Sequence, residues 1–549
     1  MFIAAVLAAT LAQAPGAYQA VTDRGPRAEP AVAKLGPAGS SFNDPVFGSR
    51  IWRITDRLTR PDAPDRSFRT PSATHQNSWS AHGTRFYVVS NGGTMIPFDF
   101  DAATGAATRR ETLRFYIEPQ FSYVDDDLIY GSLTAPGASL RTIDQFNFDT
   151  GEYTRLLDLD TLVPGVKGTY VGGVASSGGA TERILAFFGG VSQDRHRYVV
   201  VFDRRNPARR RLLDTAASML DGKALTAPLG FNLHHAAIDR SGRFVMLYPT
   251  SVDIAAPRLA AQVYTWDTLT DAITPMPILT ALSAGHDAFG YGVAVNKDCC
   301  ASTSWDAAQW QIRALATPLV SRDLITPVVT PKEIYMSDHP SWNNARVDRL
   351  VPFITSTYRY GTTASEWRAW DDDILAVQTD VGDGGAEVFR LAHHRSDVRT
   401  DGAPDQTTFW YMPRPSVSPD GRWVLFTSNW EKTLGTDTTA AAGEQARQDV
   451  FLVQLKGIDD DEDAAPEPLE LTTTSLPDGK VKRAYSTSLQ ASRPATWRVS
   501  GGALPPGLTL SAAGQITGTP RSAGAWYSEL TASDDVGSAS RVFLLTVQR

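Results

Sequence analysis

The chain has 549 residues and a net charge of −8; charged residues make up 20% of it and aromatic residues 10%. This negative charge excludes the basic surface with which proteins bind nucleic acid, and no apolar run after the first twenty residues is long enough to cross a bilayer. The 43 glycines and 34 prolines indicate a turn-rich β composition. The length allows two or more domains.

The first twenty residues are interpreted as a signal peptide. Residues 1–12 are apolar and small residues follow them, which is the pattern of a secretory signal core. The usual basic start is missing, so either the start is incomplete or the signal is unusual. We predict that the protein is exported to the periplasm, the cell surface or the medium.

Residues 30–457 repeat one theme: a tight turn, an apolar strand, a loop and a second strand. Two examples are Gly83–Ser90 followed by Ile96–Gly105, and Asp239–Tyr248 followed by Val263–Asp267. All-β repetition at roughly sixty residues predicts blades of four strands around a central axis. We predict a seven-bladed β-propeller, closed by a strand at residues 51–55; several separate sandwiches are the alternative.

The two cysteines of the chain, Cys299 and Cys300, are adjacent. A bridge between neighbours is strained, since their Cα atoms are only about 3.8 Å apart, but an oxidising compartment permits it. Two free thiols and a soft metal site are the alternatives. Without further cysteines, a structural zinc site is not expected.

The candidate chemistry rests on histidines, because no nucleophile elbow, zinc-protease, P-loop or dinucleotide motif is present. First strands of propeller blades line one channel, so equivalent side chains on different blades converge there. Neutral imidazoles from three blades bind a divalent transition metal, and the predicted ligands are His75, His234 and His339. The cofactor predicted for the protein is a divalent metal: calcium, manganese or zinc.

A base beside an arginine suggests catalysis in the same channel. An imidazole or tyrosine removes a proton next to a carboxylate whose charge the arginine offsets. The predicted catalytic residues are His235, His286, Tyr291 and Arg414. The alternative is that the histidines bond backbone carbonyls and hold neighbouring blades together.

Aromatic residues near arginines are typical of carbohydrate contacts, because sugar rings stack on aromatic faces and arginine grips carboxylates. The predicted ligand-binding residues are Trp342, Arg346, Trp410, Tyr411 and Trp430.

Residues 458–467 are an acidic, proline-containing linker, and residues 468–549 read as a small β-sandwich with glycine and proline turns. Its Leu504–Leu508 and Gly514–Pro520 segments give the pattern LPxGL…GxIxGTP. This module resembles the Ig-like, cadherin-related modules of bacterial exported proteins. The resemblance implies calcium binding; the acids available are Asp534 and Asp535, with Glu529 nearby, and a solvated loop is the alternative.

Two further resemblances concern the N-terminal body. The segment Ser418–Trp423 resembles the repeat of TolB-like and WD40-like propellers. The histidine- and arginine-rich funnel resembles that of propeller-fold polysaccharide lyases such as oligogalacturonate and ulvan lyases, and it implies β-elimination on uronate-containing glycans.

We therefore predict an exported propeller that binds an extracellular or envelope ligand, a carbohydrate, through its central funnel, with the Ig-like domain as a spacer. The first alternative is a polysaccharide lyase. The second is a non-catalytic scaffold that binds an envelope protein. No nucleic-acid partner and no transmembrane anchor are expected.

Overall fold

The computed structural model describes most of the chain. The described residues are 18–31, 34–63, 65–73, 76–135, 141–165, 170–179, 181–190, 195–250, 263–276, 287–298, 309–325, 338–347, 350–359, 367–457, 469, 471–473, 475–492, 494–533 and 538–549. Several predictions lie outside them: those on residues 1–17, His75, His286, Cys299, Cys300, the acidic linker, Asp534 and Asp535. The chain divides into two units, Met1–Asp460 and Asp461–Arg549.

The described part of the N-terminal unit consists mainly of antiparallel sheets, which we number 1 to 7 in chain order. Strands β1 (Ser41–Asn43) and β2 (Arg50–Arg53) pair with each other and belong to sheet 7. Sheet 1 contains β3 (Phe68–Arg69), β4 (Arg85–Ser90), β5 (Met95–Asp101) and β6 (Ala106–Arg109). Sheet 2 contains β7 (Gln120–Phe121), β8 (Leu128–Gly131), β9 (Thr142–Asn147) and β10 (Glu152–Asp158), after which comes the short helix α1 (Leu159–Leu162).

Sheets 3 and 4 continue this order. Sheet 3 contains β11 (Tyr170–Ser176), β12 (Arg183–Gly190), β13 (Tyr198–Asp203), β14 (Asn206–Asp214), β15 (Met219–Leu220) and β16 (Lys223–Ala224). Sheet 4 contains β17 (Leu233–Ile238), β18 (Phe244–Pro249), β19 (Val263–Asp267) and β20 (Ile273–Met276).

The last three sheets complete the unit. Sheet 5 contains β21 (Ala288–Phe289), β22 (Val293–Asp298), β23 (Gln309–Ala314) and β24 (Arg322–Asp323). Sheet 6 contains β25 (Asp338–Ser341), β26 (Phe353–Thr357), β27 (Asp373–Val377) and β28 (Val388–His393). A two-stranded ribbon, β29 (Arg399–Thr400) with β30 (Ala403–Thr407), and a 3-10 helix (Phe409–Tyr411) precede sheet 7, which joins β31 (Ser416–Val417), β32 (Trp423–Ser428) and β33 (Asp449–Gln454) to β2 and β1.

Buried apolar clusters link these sheets in a closed order. Each sheet shares a cluster with the next, for example Val245 of sheet 4 with Leu185 of sheet 3. Sheet 7 shares one with sheet 1, in which Trp423 packs near Phe86. The predicted all-β class with a propeller-like body is confirmed. The described sheets of four or more strands in this unit number seven; the blade count stays a prediction.

The predicted closing strand also forms. In β2, Ile51 pairs with Val453 and Arg53 with Phe451, so an early strand completes the last sheet. The carboxylate of Asp449, which is fully buried, accepts hydrogen bonds from Arg53 and Arg447 and from the Thr55 hydroxyl, the last at 3.0 Å. Ion pairs thus reinforce the junction between the two ends of the body.

The C-terminal unit is a two-sheet structure, as predicted. One sheet contains β34 (Gly479–Lys480), β36 (Thr496–Gly502), β39 (Gly524–Ser533) and β40 (Ser538–Gln548); the other contains β35 (Tyr485–Ser488), β37 (Leu508–Leu510) and β38 (Gln515–Gly518). Trp497, Ile516 and Phe543 lie in the core of this unit. The Cβ atom of an alanine at Gly518 would lie 2.1 Å from the Gly507 carbonyl oxygen, at a φ of 140°, so the glycine of the GTP motif is sterically required.

His394 forms a buried neutral hydrogen-bonding group beside sheet 6. Its Nδ1 accepts a hydrogen bond from the Ser396 amide at 3.0 Å, and its Nε2 donates to the Thr357 carbonyl at 2.7 Å. Burial lowers the pKa of His394 to about 4. Protonation of Nδ1 would break the bond from Ser396, so the native state favours the neutral ring.

This geometry predicts a pH-dependent contribution to stability. Between about pH 6.5 and 4 the unfolded chain binds a proton at His394 and the folded chain does not, so the contribution falls as pH falls through this range. We expect the free energy of unfolding of the wild type, minus that of His394→Gln, to decrease by up to about 3 kcal/mol from pH 7 to pH 4. Urea titrations at both values measure it. A difference that is the same at pH 7 and pH 4 would contradict this assignment.

Candidate functional site

First strands from several sheets surround one axial channel. A single cavity is lined by Gln120, Ser176, Ala237, Phe289 and Trp342, which belong to or directly follow the first strands of sheets 2 to 6. We call the end of the channel where the first strands begin the start end, and the opposite end the finish end. The start end holds the group of residues with the clearest binding chemistry.

Arg414 lies at the start end, two residues before β31, and is 1% exposed. Its Nη1 donates to the Phe409 carbonyl and its Nη2 to that of Trp410 at 3.4 Å, while its Nε donates to no described residue. Burial, together with the nearby charge of Arg69, lowers the pKa of Arg414 to about 9. The guanidinium therefore remains charged at neutral pH in an environment that disfavours its charge.

A second arginine lies beside Arg414. The Nη1 of Arg69 is 2.6 Å from Oε1 of Glu118, and its guanidinium lies 4.7 Å from the ring centroid of Trp410. Burial would raise the pKa of Glu118, but Arg69 and Ser72 more than offset it, so that pKa lies below its usual value. We call Arg69, Glu118, Arg414 and Trp410 the start-end cluster; two cations and one carboxylate leave it with an excess positive charge.

Two potential proton-transfer groups adjoin this cluster. The ring of His339 stacks on that of Tyr358, with centroids 5.6 Å apart, and Phe409 packs edge-on to His339 at 5.8 Å. Both His339 and Tyr358 are buried. Phe409 also lies under the guanidinium of Arg414 at 4.8 Å, so these side chains form one continuous layer.

A cleft of about 330 Å³ opens beside the cluster. Its lining includes Arg69, Trp410, Asn91, Gly92 and Glu444. Trp410 is 38% exposed and so presents part of its ring to this space. The cleft therefore combines a cation, a carboxylate, an aromatic surface and polar groups.

Of the other predicted histidines, the structure describes His234 and His235. His235 is half-buried, with its ring 4.9 Å from Phe187 and 5.8 Å from Tyr248, whose hydroxyl donates to Asp287 at 2.7 Å. His234 is exposed. No group of three or more potential metal ligands occurs within the described ranges; because His75 lies outside them, the metal site stays a prediction.

Tyr291 does not lie where catalysis with Arg414 would require it. It follows β21 at the finish end, where its hydroxyl is 3.4 Å from the Gly178 carbonyl and its ring 5.8 Å from the Arg240 guanidinium. His286 lies outside the described residues, so the predicted pairing of Tyr291 with His286 stays a prediction.

The predicted ligand-binding residues differ in accessibility. Trp342, Tyr411 and Trp430 are buried and packed: the Trp342 Nε1 donates to Val351, and the Tyr411 hydroxyl to Asp401. Arg346 is half-buried. Only Trp410 of this set presents a substantial aromatic surface to solvent and joins the start-end cluster.

Sequence reasoning missed Arg69, Glu118 and Tyr358 as members of the site. Neither Arg69 nor Glu118 is a histidine, so the histidine pattern did not select them. A usable signal existed: both are charged residues within or next to the apolar first strand of a repeat unit, where a charge is expensive unless it is paired.

The family model described as Putative Ig domain matches residues 467–548, which confirms the Ig-like module. No curated protein matches the chain. None of the helices in the described part of the chain has the length and apolar character needed to cross a bilayer.

Among solved structures, the chain is similar to an oligogalacturonate lyase from Vibrio parahaemolyticus, with 12% identity over 76% of this chain and 96% of that chain and a TM-score of 0.44. It is similar to TolB from Acinetobacter baumannii, with 13% identity over 46% of this chain and 52% of that chain and a TM-score of 0.29. A third is RRP9, a protein of WD40 repeats, with 10% identity over 71% and 97% of the two chains and a TM-score of 0.37. The seven sheets of the body and the family match of residues 467–548 together describe a propeller-like body with an Ig-like domain.

Proposed function

We propose that the protein is exported and binds an acidic carbohydrate at the start-end cluster. The observation that carries this proposal is the charge balance of Arg414, whose buried guanidinium has no carboxylate of its own. The Ig-like module supports export, since such modules are common in exported bacterial proteins.

The charge balance of the start-end cluster favours a ligand that carries a carboxylate. The one acid of the cluster, Glu118, is engaged by Arg69, so Arg414 keeps an uncompensated charge. Desolvated charge pairs bind more strongly than exposed ones, and arginine recognises carboxylates through its planar fork. A uronate supplies that group, whereas a neutral sugar does not.

The shape of the site favours a sugar as the carrier of this group. Trp410 exposes part of its ring beside Arg69, and sugar rings stack on such faces through their apolar C–H surfaces. The adjoining cleft of about 330 Å³ falls at the lower end of the size range of small-ligand sites. One or two sugar units fit that volume.

Calorimetric titration with a matched pair of ligands tests the proposal. A short oligogalacturonide and its fully methyl-esterified form share the same ring and differ in the charge of the carboxyl group. We expect binding of the acid and at least tenfold weaker binding of the ester, because one charged hydrogen bond is worth about 1.5 to 3 kcal/mol. Equal affinity for both, or no binding of any acidic glycan in a broad panel, would refute this function.

Trp410→Ala tests the stacking surface. We expect the dissociation constant for the acidic oligosaccharide to rise about fivefold, because an aromatic contact of this kind contributes on the order of 1 kcal/mol. Tyr527→Ala, at an aromatic residue of the C-terminal unit that is 64% exposed, is the control and should leave the constant unchanged. If only Tyr527→Ala weakened binding, the site would lie in the C-terminal unit.

A polysaccharide lyase of the β-elimination type is the second candidate function. It is favoured by the position of His339 and Tyr358 beside Arg414, since β-elimination from a uronate needs a base next to a neutralised carboxylate. Incubation with uronate polymers should then raise the absorbance at 235 nm as unsaturated products form. Binding without such a rise would support carbohydrate binding and contradict the lyase function.

A further inference from the structure

A second polar group lies at the finish end of the channel, away from the start-end cluster. Arg240 follows β17 and is 7% exposed, and its guanidinium carbon lies 3.2 Å from the ring centroid of Tyr123. Its Nε and Nη1 are buried and donate to no described residue. A buried cation in this state is costly unless something offsets its charge.

The neighbouring carboxylate does not satisfy this cation by a hydrogen bond. Asp239 is fully buried, and its oxygens accept hydrogen bonds from the Ser241 hydroxyl and from the backbone amides of Phe244 and Gly292 at 2.6 to 2.8 Å. Its oxygens are therefore occupied by other donors. Glu182, a further buried acid of this region, is engaged by Ser122, Tyr130 and Arg204.

The space in front of Arg240 is small and lacks acids. Its volume, taken as the space open to the centre of a water molecule, is about 20 Å³, which suits one water-sized species. Arg240 is the only charged residue among the described residues that line it. A polyatomic sugar does not fit, whereas a monatomic ion does.

A second hydrogen-bond donor also faces this space. The Oε1 of Gln120 accepts a hydrogen bond from the Asn77 amide at 2.7 Å. The Nε2 of Gln120 is therefore the polar group that this side chain offers to the cavity. The Oδ1 of Asn343, another lining residue, already accepts from the Tyr123 hydroxyl at 3.0 Å. Arg240 and Gln120 thus both present side-chain N–H groups to the cavity.

We propose that this cavity is an anion-binding site, in which Arg240 and Gln120 bind a monovalent anion the size of chloride. The anion neutralises Arg240 and receives hydrogen bonds from sheets 2 and 4, so it acts as a bound structural ion within the channel. This site is distinct from the carbohydrate site proposed above, because none of the residues that line it belongs to the start-end cluster or to the adjoining cleft.

Thermal unfolding of the full chain in different sodium salts tests the site. At constant ionic strength, replacing gluconate, which is too large for the cavity, by 100 mM chloride should raise the wild-type melting temperature by about 2 °C if the dissociation constant is about 10 mM. Arg240→Met should lose this difference between the salts. Arg243→Gln, at an arginine that pairs with Asp267 outside the cavity, should retain it.

Bromide gives a direct and independent readout. In crystals of the wild type soaked in bromide, we expect an anomalous peak within about 3.5 Å of the Arg240 guanidinium, which is absent in Gln120→Leu or much weaker there. A wild type whose melting temperature is the same in both salts and whose cavity holds no bromide would overturn the proposal, and would assign the solvation of Arg240 to water. Retention of the chloride effect in Arg240→Met would also overturn it.

Discussion

Replacing Arg414 by methionine should weaken binding of an acidic oligosaccharide by about 10- to 100-fold, the equivalent of one charged hydrogen bond, without lowering stability. Methionine fills a similar volume without a charge. Burial lowers the pKa of Arg414 to about 9, so the folded protein bears a cost for the charged form that methionine removes. If Arg414 were required for the structure instead, Arg414→Met would lower the free energy of unfolding. Calorimetric titration and urea unfolding of the same preparation measure both effects.

Arg109→Gln is the matched control for this experiment, because Arg109 is exposed on β6, the last strand of sheet 1. It should change neither affinity nor stability. A variant with wild-type affinity but a markedly lower free energy of unfolding would show that Arg414 is structural.

Asp449→Ala should lower the free energy of unfolding by about 3 to 5 kcal/mol. Asp449 is fully buried at the junction of β33 and β2, where its carboxylate faces Arg53 and Arg447. Alanine leaves both cations without their acid and removes the acceptor of the Thr55 hydroxyl. Urea titration monitored by tryptophan fluorescence measures this loss of stability. We expect it in the unfolding of the N-terminal unit, in which β2 pairs with β33.

The matched control for the junction is Asp65→Ala. Asp65 pairs with Arg57 at 3.1 Å, but both side chains are more than half exposed, and such pairs contribute little to stability. Asp449→Asn should lie between wild type and Asp449→Ala, because the amide keeps one acceptor and loses the charge. If Asp449→Ala were no less stable than Asp65→Ala, the closing ion pairs would not hold the junction together.

Much of the fold could be predicted because the relevant signals are local. Turn residues followed by apolar strands recur along the body, and each such unit forms a sheet with its own neighbouring strands. The closing strand was recognisable as an isolated apolar segment with residues 51–55, and Ile51 does pair with Val453. In the C-terminal unit, the glycines and prolines of the Ig-like motif fixed the turns directly.

The candidate site was less predictable because it depends on contacts between distant parts of the chain. Arg69 and Glu118 meet across two sheets, and no sequence spacing encodes that pairing. Trp430 was predicted to bind the ligand, yet its ring stacks on Phe451 in the core. Aromatic composition alone does not tell a buried side chain from an exposed one. Tyr291 lies at the finish end because it follows β21, and position along a strand decides which end of the channel a side chain reaches.

The most direct test of the carbohydrate site is a crystal structure of the full chain with a bound oligogalacturonide. We expect one carboxylate of the ligand to lie within hydrogen-bond distance of Arg414 or Arg69, and a sugar ring to pack against Trp410. A ligand bound in the C-terminal unit, or a carboxylate that contacts neither arginine, would contradict it.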